Sequence, residues 1–182
     1  MKKLFLVAVV AVFGFSNANA QEVKFGAKAG VNFATLGGDD TDGIESTTSF
    51  HVGGVANIGV SDKFSVQPEI VYSSQGASEG GFDLKLDYIN VPIMAKYEVA
   101  DGFSLEAGPQ IGFLMSADFE GTDVKDSFKS TDFSAGLGLA YEMESGLNFA
   151  ARYNLGLGNI AEEDEGDLKN NVFQISVGYF FN

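Results

Sequence analysis

Residues 23–35 alternate with a period of two. Val23, Phe25, Ala27, Ala29, Val31, Phe33 and Thr35 fall on one side, and Lys24, Gly26, Lys28, Gly30, Asn32 and Ala34 fall on the other. Successive side chains of a β-strand point to opposite faces, so this pattern predicts a strand with one apolar and one polar face. The same split recurs over residues 50–60, 64–73, 89–99, 103–115, 132–143, 147–158 and 173–181. Eight strands are predicted.

The connections between them fall into two classes. Ser61-Asp62-Lys63, Ala100-Asp101-Gly102 and Glu144-Ser145-Gly146 are the size of turns, whereas residues 37–49, 76–87, 116–131 and 159–171 are long and polar. Short and long connections alternate along the chain. In an up-and-down sheet, all the short ones therefore lie at one end and all the long ones at the other. The fold class expected is all-β, an eight-stranded antiparallel up-and-down transmembrane β-barrel with short periplasmic turns and longer external loops.

Two counts decide which face looks outward. No residue on the apolar face is charged, while the polar face carries Lys24, Lys28, His51, Glu69, Lys96, Glu98, Glu106, Asp132, Glu142 and Arg152. Of twelve strand glycines, eleven are on the polar face and only Gly54 is on the other. An eight-stranded tube is just wide enough for side chains to fill, so crowding favours glycine inside. The apolar face is thus expected against lipid, and a soluble barrel with an apolar interior is disfavoured. Aromatic residues near strand ends, among them Phe25, Phe33, Tyr72, Tyr97, Phe103, Tyr141 and Phe181, are placed to form interfacial belts. Pro68, Pro92 and Pro109 cannot donate to a ladder and are expected at bulges or at the rim.

The first twenty residues read differently. Lys2 and Lys3, an apolar run over residues 4–15 and the small-residue site Ala18-Asn19-Ala20 have the three-part order of a cleaved secretory signal peptide. The domain organisation expected is a signal peptide, 1–20, followed by one barrel domain, 21–182. There is no cysteine, hence no disulfide framework and no lipidated cysteine. The whole chain carries a net charge of −14; without Lys2 and Lys3, nine basic residues face 25 acidic ones, a net charge of −16. An acidic body of this kind excludes nucleic acid as a partner, because phosphate binding needs a basic face.

Several segments resemble a known group. Gly26-Ala27-Lys28-Ala29-Gly30-Val31-Asn32, Gln67-Pro68-Glu69-Ile70-Val71-Tyr72-Ser73, Gly108-Pro109-Gln110-Ile111-Gly112 and Ala151-Arg152-Tyr153-Asn154-Leu155-Gly156-Leu157 are similar to strands of the PorT-like outer membrane protein β-barrel domain family. The most specific element is Tyr88-Ile89-Asn90-Val91-Pro92-Ile93-Met94-Ala95-Lys96-Tyr97. The resemblance spans nearly all of residues 21–182. It implies a small porin-like barrel of OmpA or OmpX architecture in the cell outer membrane, and it implies no activity. The ending Val177-Gly178-Tyr179-Phe180-Phe181 resembles a C-terminal assembly signal, carried by Gly178, Tyr179 and Phe181, with Asn182 following the expected terminal aromatic. Partners implied are outer-membrane lipid and lipopolysaccharide, and the barrel-assembly machinery during biogenesis; a monomer is expected.

The candidate chemistry lies inside the tube and in the loops. Lys28, Lys96 and Arg152 oppose Glu69, Glu106 and Glu142 as a lumen charge network, since an unpaired charge in a narrow lumen is costly. Arg152 is expected to pair with Glu69 or Glu106, with Lys28 competing. Asp39, Asp40, Asp42 and Glu45 space oxygen ligands as a divalent-ion loop would, without the order of an EF-hand. His51, with Ser49 nearby and Asp132 on another strand, is the one constellation that a rim-located enzyme could use. No cofactor and no resident metal are expected. The leading expectation is a non-enzymatic barrel with an envelope-structural or surface-interaction role. The alternatives are a narrow channel gated by the charge network and, more remotely, the rim enzyme.

Overall fold

The structure, a computed structural model, describes residues 22–38, 44–161 and 167–181. The segment expected to be a signal peptide (1–20), Asp39, Asp40, Asp42, the acidic positions 162–165 and Asn182 lie outside these residues. Eight long strands form the wall: β1 (Val23–Gly38), β2 (Glu45–Gly59), β3 (Phe64–Glu79), β4 (Phe82–Ala100), β5 (Phe103–Phe119), β7 (Thr131–Glu142), β8 (Leu147–Gly156) and β9 (Leu168–Phe181). A two-residue strand, β6 (Thr122–Asp123), folds back on β5, and one 3-10 turn spans Lys125–Ser127. Each long strand pairs antiparallel with the next, and β9 pairs with β1, from Phe25↔Phe181 to Gly38↔Leu168. The sheet therefore closes on itself. Closure leaves no backbone edge facing hydrocarbon, which is the condition for a sheet to span a membrane.

Alternation sets the two faces as the sequence indicates. Phe25, Ile70, Ile93, Leu105, Leu137, Ile175 and Phe181 are exposed on the outside, whereas Lys28, Glu69, Lys96, Glu106, Arg152 and Gln174 are buried inside. Outer aromatics pair across strands, Phe33 with Phe173 at 6.3 Å, Phe50 with Tyr72 at 5.8 Å and Phe103 with Tyr141 at 4.4 Å between centroids. Cross-strand aromatic pairs of this kind help fix register.

The prolines sit otherwise than expected. Their ladders contain no bulge at Pro68, Pro92 or Pro109; the register shifts lie at Ser46/His51, Asp87/Tyr88 and Glu98/Ala100. Instead, pairing lapses for two residues beside each proline and resumes at the same offset. It skips from Val55↔Glu69 to Ile58↔Val66 at Pro68, from Pro68↔Ile93 to Val71↔Asn90 at Pro92, and from Pro92↔Gln110 to Ala95↔Ala107 at Pro109. A missing N–H opens the ladder locally, and the pairs on either side hold the register through the gap.

The strands also run further than the apolar alternation reaches. The expected loop at residues 76–87 is mostly sheet: β3 and β4 continue to a tight turn at Gly80 and Gly81, with φ of +58° and +88°. The reason is an inversion of polarity. Along β4, Ile89, Val91 and Ile93 point out and Asn90 points in; above them Leu84, Leu86 and Tyr88 turn inward, while Lys85 and Asp87 turn outward. In water the apolar side must face the core; in lipid it must face out. Leu36, Ala77, Leu86, Tyr88, Leu114, Ala117 and Ile160 accordingly form a hydrophobic core above the membrane segment. Burying each large side chain contributes about 1.5–3 kcal/mol.

The walls differ in height, since β4 has 19 residues and β8 only 10. Residues 124–130 and 157–161 fold across the low side as a lid. Lys129 N donates to Ile160 O at 2.7 Å, Phe128 bridges Ala161, and the Asn159 carboxamide oxygen accepts from Ala161 N and Leu168 N. Ile160 is fully buried beneath it.

Interior crowding is testable. A Cβ on Gly108 would lie 2.0 Å from Ile93 O, whereas one on outward-facing Gly54 would meet nothing closer than 4.0 Å. Gly108→Ala is expected to lower the yield of folded barrel severalfold and Gly54→Ala to leave it unchanged, as measured by heat-modifiable gel mobility after refolding.

Candidate functional site

The lumen is filled in layers. At the end of the short turns is an open vestibule of about 270 Å³, lined by Lys24, Lys63, Lys96, Glu98 and Glu142 among others. Lys24 Nζ and Glu142 Oε1 pair there at 3.1 Å, both partly exposed. Glu142 thus belongs to the vestibule and is not part of the buried network expected from the sequence.

Next is Phe180, only 1 % exposed and turned into the tube. The Lys96 ammonium lies 5.9 Å from its ring centroid, within cation–π range. Phe180 lines the small void of the charge layer, whereas Lys96 lines both that void and the vestibule.

The charge layer is continuous. Arg152 reaches two carboxylates from one guanidinium: Nη2 and Nη1 donate to Glu69 at 2.7 and 3.1 Å, and Nε donates to Glu106 Oε1 at 2.7 Å. Lys28 Nζ donates to the other side of Glu69 at 2.9 Å. Arg152 therefore takes both partners, and Lys28 shares Glu69 with it. Gln67 donates to Glu69 Oε1 at 2.7 Å and accepts from Lys96 Nζ at 3.2 Å, which links the third cation to the layer. Three cations thus face two carboxylates. The void left among these side chains is about 10 Å³, no more than one water molecule needs.

Local sequence makes room for these side chains. Gly138 stands opposite Arg152 in register, and a Cβ there would come within 2.9 Å of Glu106 Oε1. Gly178 and Gly53 flank Lys28, and Gly30 faces His51, whose Cε1 lies 2.7 Å from where a Cβ would be. Arg152, Lys28 and His51 each stand beside a residue that has no side chain.

Above the charges is a hydrogen-bonded polar layer. His51 Nδ1 is 2.7 Å from Asn32 Oδ1 and Nε2 is 2.8 Å from Ser176 Oγ. Asn32 also accepts from Gln174 Nε2 and donates to Ser73 Oγ, Phe50 O and Ser74 O. Asn154 donates to Gln174, Gln75 donates to Ser73, and Asn170 donates to Gln75. His51 is thus a buried link in this layer, not a rim residue beside Ser49, whose hydroxyl donates to Ser74 O. Neither ring nitrogen is hydrogen-bonded to an acid, so the constellation lacks the orienting group that activates a nucleophile. Glu45 opens β2 as an exposed residue, while its proposed companions Asp39, Asp40 and Asp42 lie outside the described residues. Gly178, Tyr179 and Phe181 lie on β9, the two aromatics turned out towards lipid.

Residues 5–181 match the family model described as outer membrane protein beta-barrel domain. The chain belongs to that family. It is an integral protein of the Gram-negative outer membrane. The family shown is broader than the PorT-like group to which the sequence was likened. No curated protein matches the sequence. Solved structures share the barrel at low identity. Ail, the attachment invasion locus protein of Yersinia pestis, is 18% identical, with 88% of this chain and 99% of that one covered at a TM-score of 0.57. Neisserial surface protein A is 16% identical over the same shares, at a TM-score of 0.59. A major outer membrane protein of Thermus thermophilus is 15% identical over 87% and 99%, at 0.51. At such identities the likeness is one of fold.

Sequence reasoning missed Phe180 as an interior stopper. It stood out as the one aromatic among Gln174, Ser176 and Gly178 on the polar face of its strand, a signal that could have been read.

Removing one member of a buried ion network strands the others. Arg152→Ala is expected to destabilise the barrel by about 3–5 kcal/mol, read as a lowered denaturant midpoint in micelles. Arg152→Lys should fall between, because one ammonium does not span both Glu69 and Glu106.

Proposed function

We propose that this family member is a non-enzymatic, non-conducting barrel that holds an ordered head at the cell surface, for envelope structure or surface interaction. The observation that carries this reading is the filled lumen: Phe180, the charge layer and the apolar core stop it at three levels. The head supports it. Chain length that a channel would spend on an open mouth is instead folded into an extended sheet under a lid. The OmpA-like plan and the PorT-like resemblance, strongest at the Tyr88–Pro92–Lys96 element, agree with such a role.

The surface that is presented restricts the partner. Glu45, Asp83, Glu120, Asp123, Asp126 and Asp167 are exposed on the head side. Ail is known in complex with the heparin analogue sucrose octasulfate; an acidic head would repel such a polyanion, so the partners proposed here are neutral or cationic. Outer-leaflet lipopolysaccharide would contact it through bridging divalent ions. Tyr179 and Phe181, exposed at the end of the closing strand, would serve the assembly machinery, and the barrel would act as a monomer.

A narrow channel is the second reading. It is favoured by the vestibule, which reaches Lys96 and leaves only Phe180 and the charge layer between solvent and the polar layer. Single-channel recording of the refolded protein in a planar bilayer separates the two. A silent membrane, with heat-modifiable mobility showing a folded barrel, is the expected result. Steady openings whose size changes with Arg152→Ala or Glu69→Gln would replace the scaffold with the channel.

A further inference from the structure

Beneath the lid, where the polar layer meets the apolar core, several oxygens lack partners. Asp132 Oδ1, Tyr88 Oη and Asn170 Oδ1 are buried and make no hydrogen bond. Their residues are 7 %, 0 % and 2 % exposed. The three are neighbours. The Asn170 side chain and the Phe133 backbone N–H hydrogen-bond the Asp132 carboxylate, and the Tyr88 phenol lies within reach of its charge. Gly112 marks their meeting point: a Cβ there would lie 2.6 Å from Asn90 Oδ1, 3.2 Å from Tyr88 Cδ1 and 3.6 Å from Asp132 Cβ.

The chemistry of this cluster is one-sided. The Asn90 carboxamide oxygen, the Tyr88 ring and the Asp132 side chain meet around Gly112, and the Asn170 amide nitrogen donates to Gln75. Among the described residues, the ion pairs engage Lys24, Lys28, Arg152 and Lys169, none of them with Asp132. A buried carboxylate with no cation beside it is among the costliest groups in a protein interior. Water can satisfy its hydrogen bonds, as buried water commonly does, but water does not offset its charge.

We propose that Asp132, Asn170, Tyr88 and Asn90 form a cation site under the lid, and that its ligand is a small alkali ion of the sodium class. Hard cations take oxygen donors of this kind. One carboxylate balances one positive charge, whereas a divalent ion would leave a net charge buried. Gly112 leaves room beside Asn90 and Asp132, and the lid segments carrying Phe128 and Ile160 shut the ion in. Binding there ties β4, β7 and β9 together where the tall and low walls meet, so that the ion fastens the head to the barrel.

The test is unfolding of the refolded barrel in micelles at constant ionic strength, with sodium, potassium, calcium or choline chloride. The midpoint is expected to rise by several degrees in sodium or potassium over choline, saturating with concentration. Asp132→Asn should abolish that rise. Tyr88→Phe, which keeps the ring and the packing, should shift the saturation point to higher concentration and guards against misfolding of the first variant. A wild-type midpoint equal in sodium and choline would mean that only water fills the site, and overturns the proposal. So would a cation response that survives both substitutions, or stabilisation by calcium alone.

Discussion

A sheet in hydrocarbon has to bond all of its own backbone, and this chain meets that demand by closing β9 on β1 over fourteen residue pairs. Everything else follows from the size of the tube so formed. Eight strands leave room for little more than side chains, so polar groups excluded from lipid have to satisfy one another in a narrow space. Arg152 is the economical answer. One planar cation reaches Glu69 and Glu106 with three donors, in a geometry that a lysine cannot copy. The glycines opposite the large interior groups are part of the same solution, since the room for one residue is taken from its neighbour.

Much of this was legible in the sequence because period two is a local signal. The eight strands, their up-and-down order, the outward apolar face and the interior charges all follow from alternation and from where the glycines fall. The strand ends were not legible. The phase of the side chains continues unbroken past Tyr88, but the meaning of the phase reverses, and a reading that equates apolar with lipid ends each strand at that point. Leu84 and Leu86 read as loop residues because the solvent around them changes while the strand does not; Ala117 follows a bulge on β5 that shifts the phase as well.

Other misses have narrower causes. The prolines are expected at bulges or at the rim on the argument that a ladder cannot lose a donor. The ladder does lose it, over two residues, and the intact pairs on both sides preserve the register. His51 reads as a rim residue because the apolar alternation of its strand begins at Phe50; with β2 and β3 extended, the same position is deep in the tube. Which acid Arg152 would choose could not be read from spacing, since shear determines which interior residues of distant strands share a level.

The reversal between Tyr88 and Ile89 also fixes where the molecule floats. Sliding the barrel outward by one pleat would lift Ile89 and Val91 into water; sliding it inward would draw Asp87 and Lys85 into the acyl chains. Either displacement is resisted by groups on the wall itself, in addition to the aromatic girdles. The waterline is therefore written into the strands, and the head stands at a fixed height above the outer leaflet whatever the thickness of the bilayer beneath it.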